Sequence, residues 1–83
     1  MSVTVLYFAG IKESLDCANE TIDHGNIATV NDLIVHLSQR GQAWQQTLKD
    51  ASVLVAVNQT VANLETTLND GDEVAFFPPV TGG

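Results

Sequence analysis

Thr29-Val30-Asn31-Asp32-Leu33-Ile34-Val35-His36-Leu37-Ser38-Gln39-Arg40-Gly41 is the stretch where the hydrophobic pattern of this chain becomes helical. Val30, Leu33, Ile34 and Leu37 fall at i, i+3, i+4 and i+7, which is one face of a helix. Thr29 followed by Asp32 has the form of a capping box with Asp in place of Glu, and Gly41 stands where a C′ glycine would close the helix. Upstream, Val3–Ala9 is apolar and rich in β-branched and aromatic residues, and predicts a strand covered on both faces. Ile11–Leu15 predicts a short helical turn, and Asn19–His24 a hairpin partner for the first strand. Downstream, Trp44 and Leu48 lie four apart and share one face of a second short helix. Val53–Val57 predicts another buried strand, followed by a turn at Asn58-Gln59-Thr60. Asp70-Gly71-Asp72 is a further turn, leading into a last strand over Glu73–Phe77. Pro78-Pro79 ends that strand, because neither proline can donate a ladder hydrogen bond.

The order β-β-α-(α)-β-β-β predicts an α+β fold of the β-grasp, or ubiquitin-like, kind. It has one mixed sheet, one main helix packed across one face, and an extended C-terminal tail. With 83 residues the chain is one small domain, divided as a β-grasp domain over 1–78 and a functional tail over 79–83.

Ten acidic against three basic residues give a net charge of −7. Phosphate binding needs Lys or Arg to displace counterions. Lys12, Arg40 and Lys49 are the whole supply, so nucleic acid and an anionic membrane surface are excluded as partners. A basic protein partner, or solubility alone, is the natural reading of such a charge. One cysteine makes no internal disulfide, and Met1-Ser2-Val3-Thr4 has no cationic, apolar signal pattern. The longest apolar runs, Val5–Ala9 and Val53–Val57, fall far short of the ~20 residues of a spanning helix. A cytoplasmic protein is expected.

Self-contained catalytic chemistry is hard to find. Cys17, His24 and His36 match no zinc spacing, and no phosphate-binding glycine loop is present. His36 lies beside the apolar stripe of its helix and is expected to be solvated. Cys17 sits near Asp16 and Glu20, whose charges oppose formation of a reactive thiolate. The end of the chain is different. Two prolines stiffen an extended exit at about 3.1 Å per residue. Val80 and Thr81 follow, and then Gly82 and Gly83, which carry no side chains. Such a tail threads a channel too narrow for any Cβ and delivers the α-carboxyl of Gly83 there. A carboxylate is inert until a partner converts it to a mixed anhydride or thioester, which is the logic of ubiquitin-like carriers. The plain alternative is a flexible tail without a task.

Leu68-Asn69-Asp70-Gly71-Asp72-Glu73-Val74-Ala75-Phe76-Phe77-Pro78-Pro79-Val80-Thr81-Gly82-Gly83 closely resembles the C-terminus of the small, sulfur-carrying subunits of molybdopterin synthase. Val55-Ala56-Val57-Asn58-Gln59-Thr60 is similar to that family as well. The resemblance implies a β-grasp carrier that is not catalytic alone. An ATP-dependent, E1-like activating enzyme would adenylate Gly83, and a persulfide sulfur donor would convert it to a thiocarboxylate. The tail would then enter the large catalytic subunit of molybdopterin synthase and give sulfur to cyclic pyranopterin monophosphate, forming the dithiolene that binds molybdenum. No cofactor would be held by this chain, ATP being used by the activating enzyme, and two small and two large subunits would assemble. Gly83 and Gly82 would be the reacting end.

Strand parity adds a surface to that tail. If Val74 and Phe76 face the helix, Ala75 and Phe77 face outward, and Leu6 and Phe8 share that side when Val5 and Tyr7 point in. Parity alone leaves open that Phe8 and Phe77 simply finish the core, but the resemblance implies an apolar docking face beside the tail. Phe8, Val61 (just past the turn) and Phe77, continued by Pro78, Pro79, Val80 and Thr81, are then the expected partner-binding residues. Three other readings stay open at this point. One is a sulfur carrier for thiamine thiazole or a thiolated tRNA base, another a protein modifier conjugated through Gly83, and the third a plain binding module.

Overall fold

The structure, a computed structural model, describes residues 1–79. The element order is β1 (Ser2–Tyr7), α1 (Ala9–Leu15), β2 (Asn19–Asp23), α2 (Val30–Ser38), α3 (Gln42–Leu48), β3 (Leu54–Val57), β4 (Thr60–Val61) and β5 (Glu73–Phe77). The strands form one mixed sheet in the order β2-β1-β5-β3-β4. The parallel pair β1–β5 lies at its centre, and the other pairs are antiparallel. This is the β-grasp arrangement expected from the pattern.

Three helices close the inner face, α2 the longest of them and α1 and α3 the shorter ones read beside it. Ile11 and Leu15 of α1, Val30, Leu33, Ile34 and Leu37 of α2 and Leu48 of α3 are buried in one cluster. That cluster also contains Val3, Val5, Tyr7, Val55, Val74 and Phe76 from the sheet. Burial of this kind stabilises by about 1.5–3 kcal/mol for each large apolar side chain. The expected short turn at Ile11–Leu15 is a full helix. Its C-cap, Asp16, is left-handed at φ 52°, and this turns the chain back into β2.

The capping box on α2 forms as expected. Thr29 Oγ1 accepts from the Asp32 N–H at 3.2 Å, and Asp32 Oδ2 accepts from the Thr29 N–H at 3.1 Å. Asp32 titrates below the usual carboxylate range, first because the Ala28 N–H donates to it. Gly41 does not close α2 as expected. Gln39 caps that helix, and Gly41 precedes α3 at φ 146°, a backbone angle that a side chain would oppose.

Hairpin β3–β4 turns through Asn58 (φ 51°) and Gln59 (φ 70°), a two-residue connection whose twist suits the flanking strands. Thr60, expected within the turn, already belongs to β4. Asn58 ties the turn to the start of β5: its Oδ1 accepts from the Glu73 N–H at 3.0 Å, and its Nδ2 donates to Asp72 at 2.9 Å. Among the described residues, no helix is long and apolar enough to cross a membrane.

Candidate functional site

The outer face of the sheet is built by strand alternation. Val5, Tyr7, Val55, Val74 and Phe76 point into the core, so their neighbours along each strand point the other way. Register then aligns them. Leu6 lies beside Ala75, Ala75 beside Ala56 and Ala56 beside Val61, an apolar row that crosses four strands. One step towards the end of β5, Phe77 lies opposite Leu54. On the β1 side of that row is Phe8, whose N–H donates to the Phe76 carbonyl at 3.1 Å. The backbone reverses at the next residue, Ala9 (φ 52°), and this leaves the Phe8 ring uncovered. Phe8 is 48% exposed, Leu54 38% and Val61 73%, while Leu6, Ala75 and Phe77 are half-buried. In the opposite direction the face turns polar, with Thr4 beside Glu73 and Thr21 beside Thr4.

The sequence runs Val3–Ala9 and Val53–Val57 predict strands covered on both faces, and that expectation is corrected here. The buried side chains of all three helices pack on the inner side, so Phe8 and Leu54 stay open and Leu6 half-open on the outer face, and only the small Ala56 is buried there. Parity places Phe8, Phe77 and Val61 as expected. Leu54 joins them and was missed, because a five-residue apolar run hides its own alternation. Pro78 points back to the helix side, lining a cleft with Gly10 and Ser14 of α1 and Gln46 of α3, and Pro79 is exposed. Val80, Thr81, Gly82 and Gly83 lie outside the described residues.

A polar cluster sits at the opposite edge of the sheet, on the helix side. Arg40 donates two hydrogen bonds to Glu20, both at 2.7 Å, and Tyr7 Oη donates to Glu20 at 2.8 Å. The Arg40 guanidinium also lies 4.5 Å from the centre of the Trp44 ring, which meets Tyr7 edge-on. Burial pulls the Glu20 carboxyl upward, but the bonds from Arg40 and Tyr7 outweigh it and hold the group below its ordinary value. Burial and the bond to Glu20 push the Tyr7 phenol far above its usual range. The Cys17 thiol is pushed up as well, by burial and then by the Glu20 charge. The expectation that Cys17 is a poor nucleophile therefore has a physical basis.

These contacts join β2 to the α2–α3 connection. Arg40→Met is expected to lower stability by about 1–2 kcal/mol, since it leaves Glu20 half-buried with one partner fewer. Because the folded state depresses the Glu20 pKa, this contribution is complete above about pH 5 and fades as acid protonates the carboxylate. Urea titrations of both proteins at neutral and acid pH check the size and the sign. His36, expected to be solvated, is half-buried with its ring centre 4.5 Å from that of His24. Among the described residues, no group of three His, Cys, Asp or Glu side chains could hold a metal ion.

Comparison with known proteins follows the same lines as this geometry. The model of the ThiS family matches residues 5–83. The chain belongs to the ThiS family. The molybdopterin synthase sulfur carrier subunit of Escherichia coli K12 is 42% identical over 81 residues, covering 98% of this chain and 99% of that protein. Among solved structures, the complex of subunits 1 and 2 of molybdopterin-converting factor from Helicobacter pylori contains a chain similar to this one. It superposes with a TM-score of 0.70 at 31% identity and full coverage of both chains. SAMP1, the small archaeal modifier protein 1 of Haloferax volcanii, reaches a TM-score of 0.77 at 27% identity, also over the whole of both chains. The β-grasp fold and the small-subunit family inferred from the sequence both agree with these likenesses.

Proposed function

We propose that this ThiS-family chain is the sulfur carrier of molybdenum cofactor biosynthesis, acting as the small subunit of a molybdopterin synthase. The observation that carries the reading is the whole-length likeness to a relative of that name. Its support in this chain is an open apolar face that adjoins the strand leading to Gly82 and Gly83. An oxygen of the Gly83 carboxylate attacks the α-phosphorus of ATP on an E1-like activating enzyme, and pyrophosphate leaves. A persulfide sulfur then attacks the acyl carbon and AMP departs. A thiol cleaves the resulting acyl disulfide, which leaves the thiocarboxylate. This group is a far better nucleophile than a carboxylate. Inside the large subunit its sulfur attacks cyclic pyranopterin monophosphate. Water cleaves the resulting acyl–sulfur bond, leaving the sulfur on the substrate and restoring the Gly83 carboxylate for another round of activation. A second loaded terminus supplies the other sulfur of the dithiolene.

Phe8, Leu54, Val61 and Phe77 form the surface that docks on the large subunit, with Pro78, Pro79, Val80 and Thr81 directing the terminus into it. The net charge of −7 favours a partner with a basic rim. The protein, its activating enzyme, ATP and a sulfur donor are incubated together and the intact mass is measured. Replacement of one oxygen by sulfur at Gly83 is expected, and an unchanged mass overturns the reading.

The likeness to the archaeal modifier supports a second reading, conjugation of Gly83 to lysines of other proteins. That chemistry leaves isopeptide-linked ladders in cells, which a sulfur carrier alone does not.

A further inference from the structure

A cavity of about 390 Å³ opens on the helix side of the sheet, away from the apolar outer face. Its origin is the shortness of β4. That strand pairs with Ala56 and Val57, the Ala62 N–H then donates to the Val55 carbonyl at 2.9 Å, and beyond it no described strand flanks the start of β3. After β4 the chain leaves the sheet and attaches to the start of α2, where the Asn31 N–H donates to the Leu64 carbonyl at 2.9 Å. The end of α3 closes the other side. Between them a gap remains, with Phe76 and Val55 as its floor and Ile34, Leu48 and Leu64 as walls. Protein interiors leave few voids larger than a water molecule, whereas small-molecule sites occupy about 300–1,000 Å³. Leu64 on the lip is 52% exposed, an apolar side chain that the fold itself does not cover.

The rim supplies the polar part of a site. Lys49 stands there, and among the described residues no carboxylate lies within ion-pair distance of it. Arg40, by contrast, is engaged by Glu20. Asp50, next to Lys49, already accepts from the Ser52 N–H at 2.8 Å and from Ser52 Oγ at 2.7 Å. The rim therefore carries Lys49 outside any ion pair beside Asp50, whose Oδ1 is engaged by Ser52, above a hydrocarbon-lined floor.

We propose that this cavity binds a medium-chain aliphatic monocarboxylate, with its hydrocarbon over Val55 and Phe76 and its carboxylate at Lys49. The inference is independent of sulfur carriage, because the cavity lies on the opposite face of the sheet from Phe8, Leu54, Val61 and Phe77. Octanoate serves as the probe, titrated into the full chain and followed by amide and methyl NMR shifts. Saturable shifts confined to Ile34, Leu48, Val55 and Leu64 are expected, with octylamine binding more weakly than octanoate. Lys49→Gln, an exposed change outside the core, should weaken octanoate by about two- to fivefold, the worth of one exposed ion pair, and leave octanol binding unchanged. The proposal is overturned by an absence of saturable shifts, by shifts centred on Phe8 and Phe77 instead, by octylamine binding as well as octanoate, or by Lys49→Gln affecting octanoate and octanol alike.

Discussion

Deleting Gly83, or changing Gly82 to Val, is expected to abolish sulfur loading while leaving thermal unfolding unchanged. The two halves of this result have separate causes. Deletion moves the terminal carboxylate back by about 3.3 Å, the reach of one extended residue. Misplacing a reacting group by about 1 Å already costs on the order of a hundredfold. Gly82→Val keeps the terminus in place but adds a β-branched side chain, in a position where the proposed channel admits none. The described fold, by contrast, draws its ladder and its core from residues that precede both. The β5 ladder ends at Phe77 opposite Leu54, and among the described residues the core takes nothing beyond Phe76. Intact-mass analysis reads the first half and a thermal melt the second. In a domain of this size about 1 kcal/mol corresponds to roughly 4–8 °C. A larger fall in Tm would mean that the terminus packs on the domain, and the threading argument would fail.

Features set by neighbours along the chain were the legible part of this sequence. The stripe Val30, Leu33, Ile34 and Leu37, the Thr29–Asp32 box and the span Glu73–Phe77 all follow from local spacing and turn chemistry, and all three form as expected. Gly41 shows the limit of that reasoning. A glycine between two short helices can end the first or start the second, and only the packing of α3 decides which. The pairing of Arg40 with Glu20 was not legible either, because their twenty-residue separation is closed by tertiary structure rather than by any period. The cavity beside β3 has no sequence signal at all. It exists because β4 stops after two residues.

The candidate surface was half legible, for a reason that bears on what it does. A continuous apolar run reads as a strand buried on both sides, and in Val3–Ala9 and Val53–Val57 no second cover is present among the described residues. Composition alone does not separate a strand covered by its own helices from one covered by another protein. Alternation does, once one residue of each strand is anchored inward. Val55 in the core sends Leu54 outward, and Tyr7 in the core sends Phe8 outward.

Phe77→Asp is expected to weaken binding to the large subunit by roughly thirtyfold or more, the equivalent of about 2 kcal/mol for the loss of an interface anchor. Folding should suffer by only about 1 kcal/mol, the span of strand preferences at a half-open position. The difference arises from where the new charge sits in each state. In the free chain Phe77 is half-buried on the outer face, so an aspartate there keeps much of its water. In the complex the same carboxylate would be enclosed beside Phe8 and Leu54 with no cation from this chain to pair it, and burying an unpaired charge is costly. Phe76→Asp is the control one position away. Phe76 is 1% exposed and stacks on Tyr7 with ring centres 6.0 Å apart, so that variant should fail to fold. Thermal melts of both variants, with a binding titration of Phe77→Asp against the large subunit, test the pair. Unfolding of both would assign Phe77 to the core. A folded Phe77→Asp that binds like the unaltered chain would remove the outer face from the docking surface. A folded variant that binds poorly ties the open side of the sheet to the partner, since the two substitutions differ only in which face of β5 receives the charge.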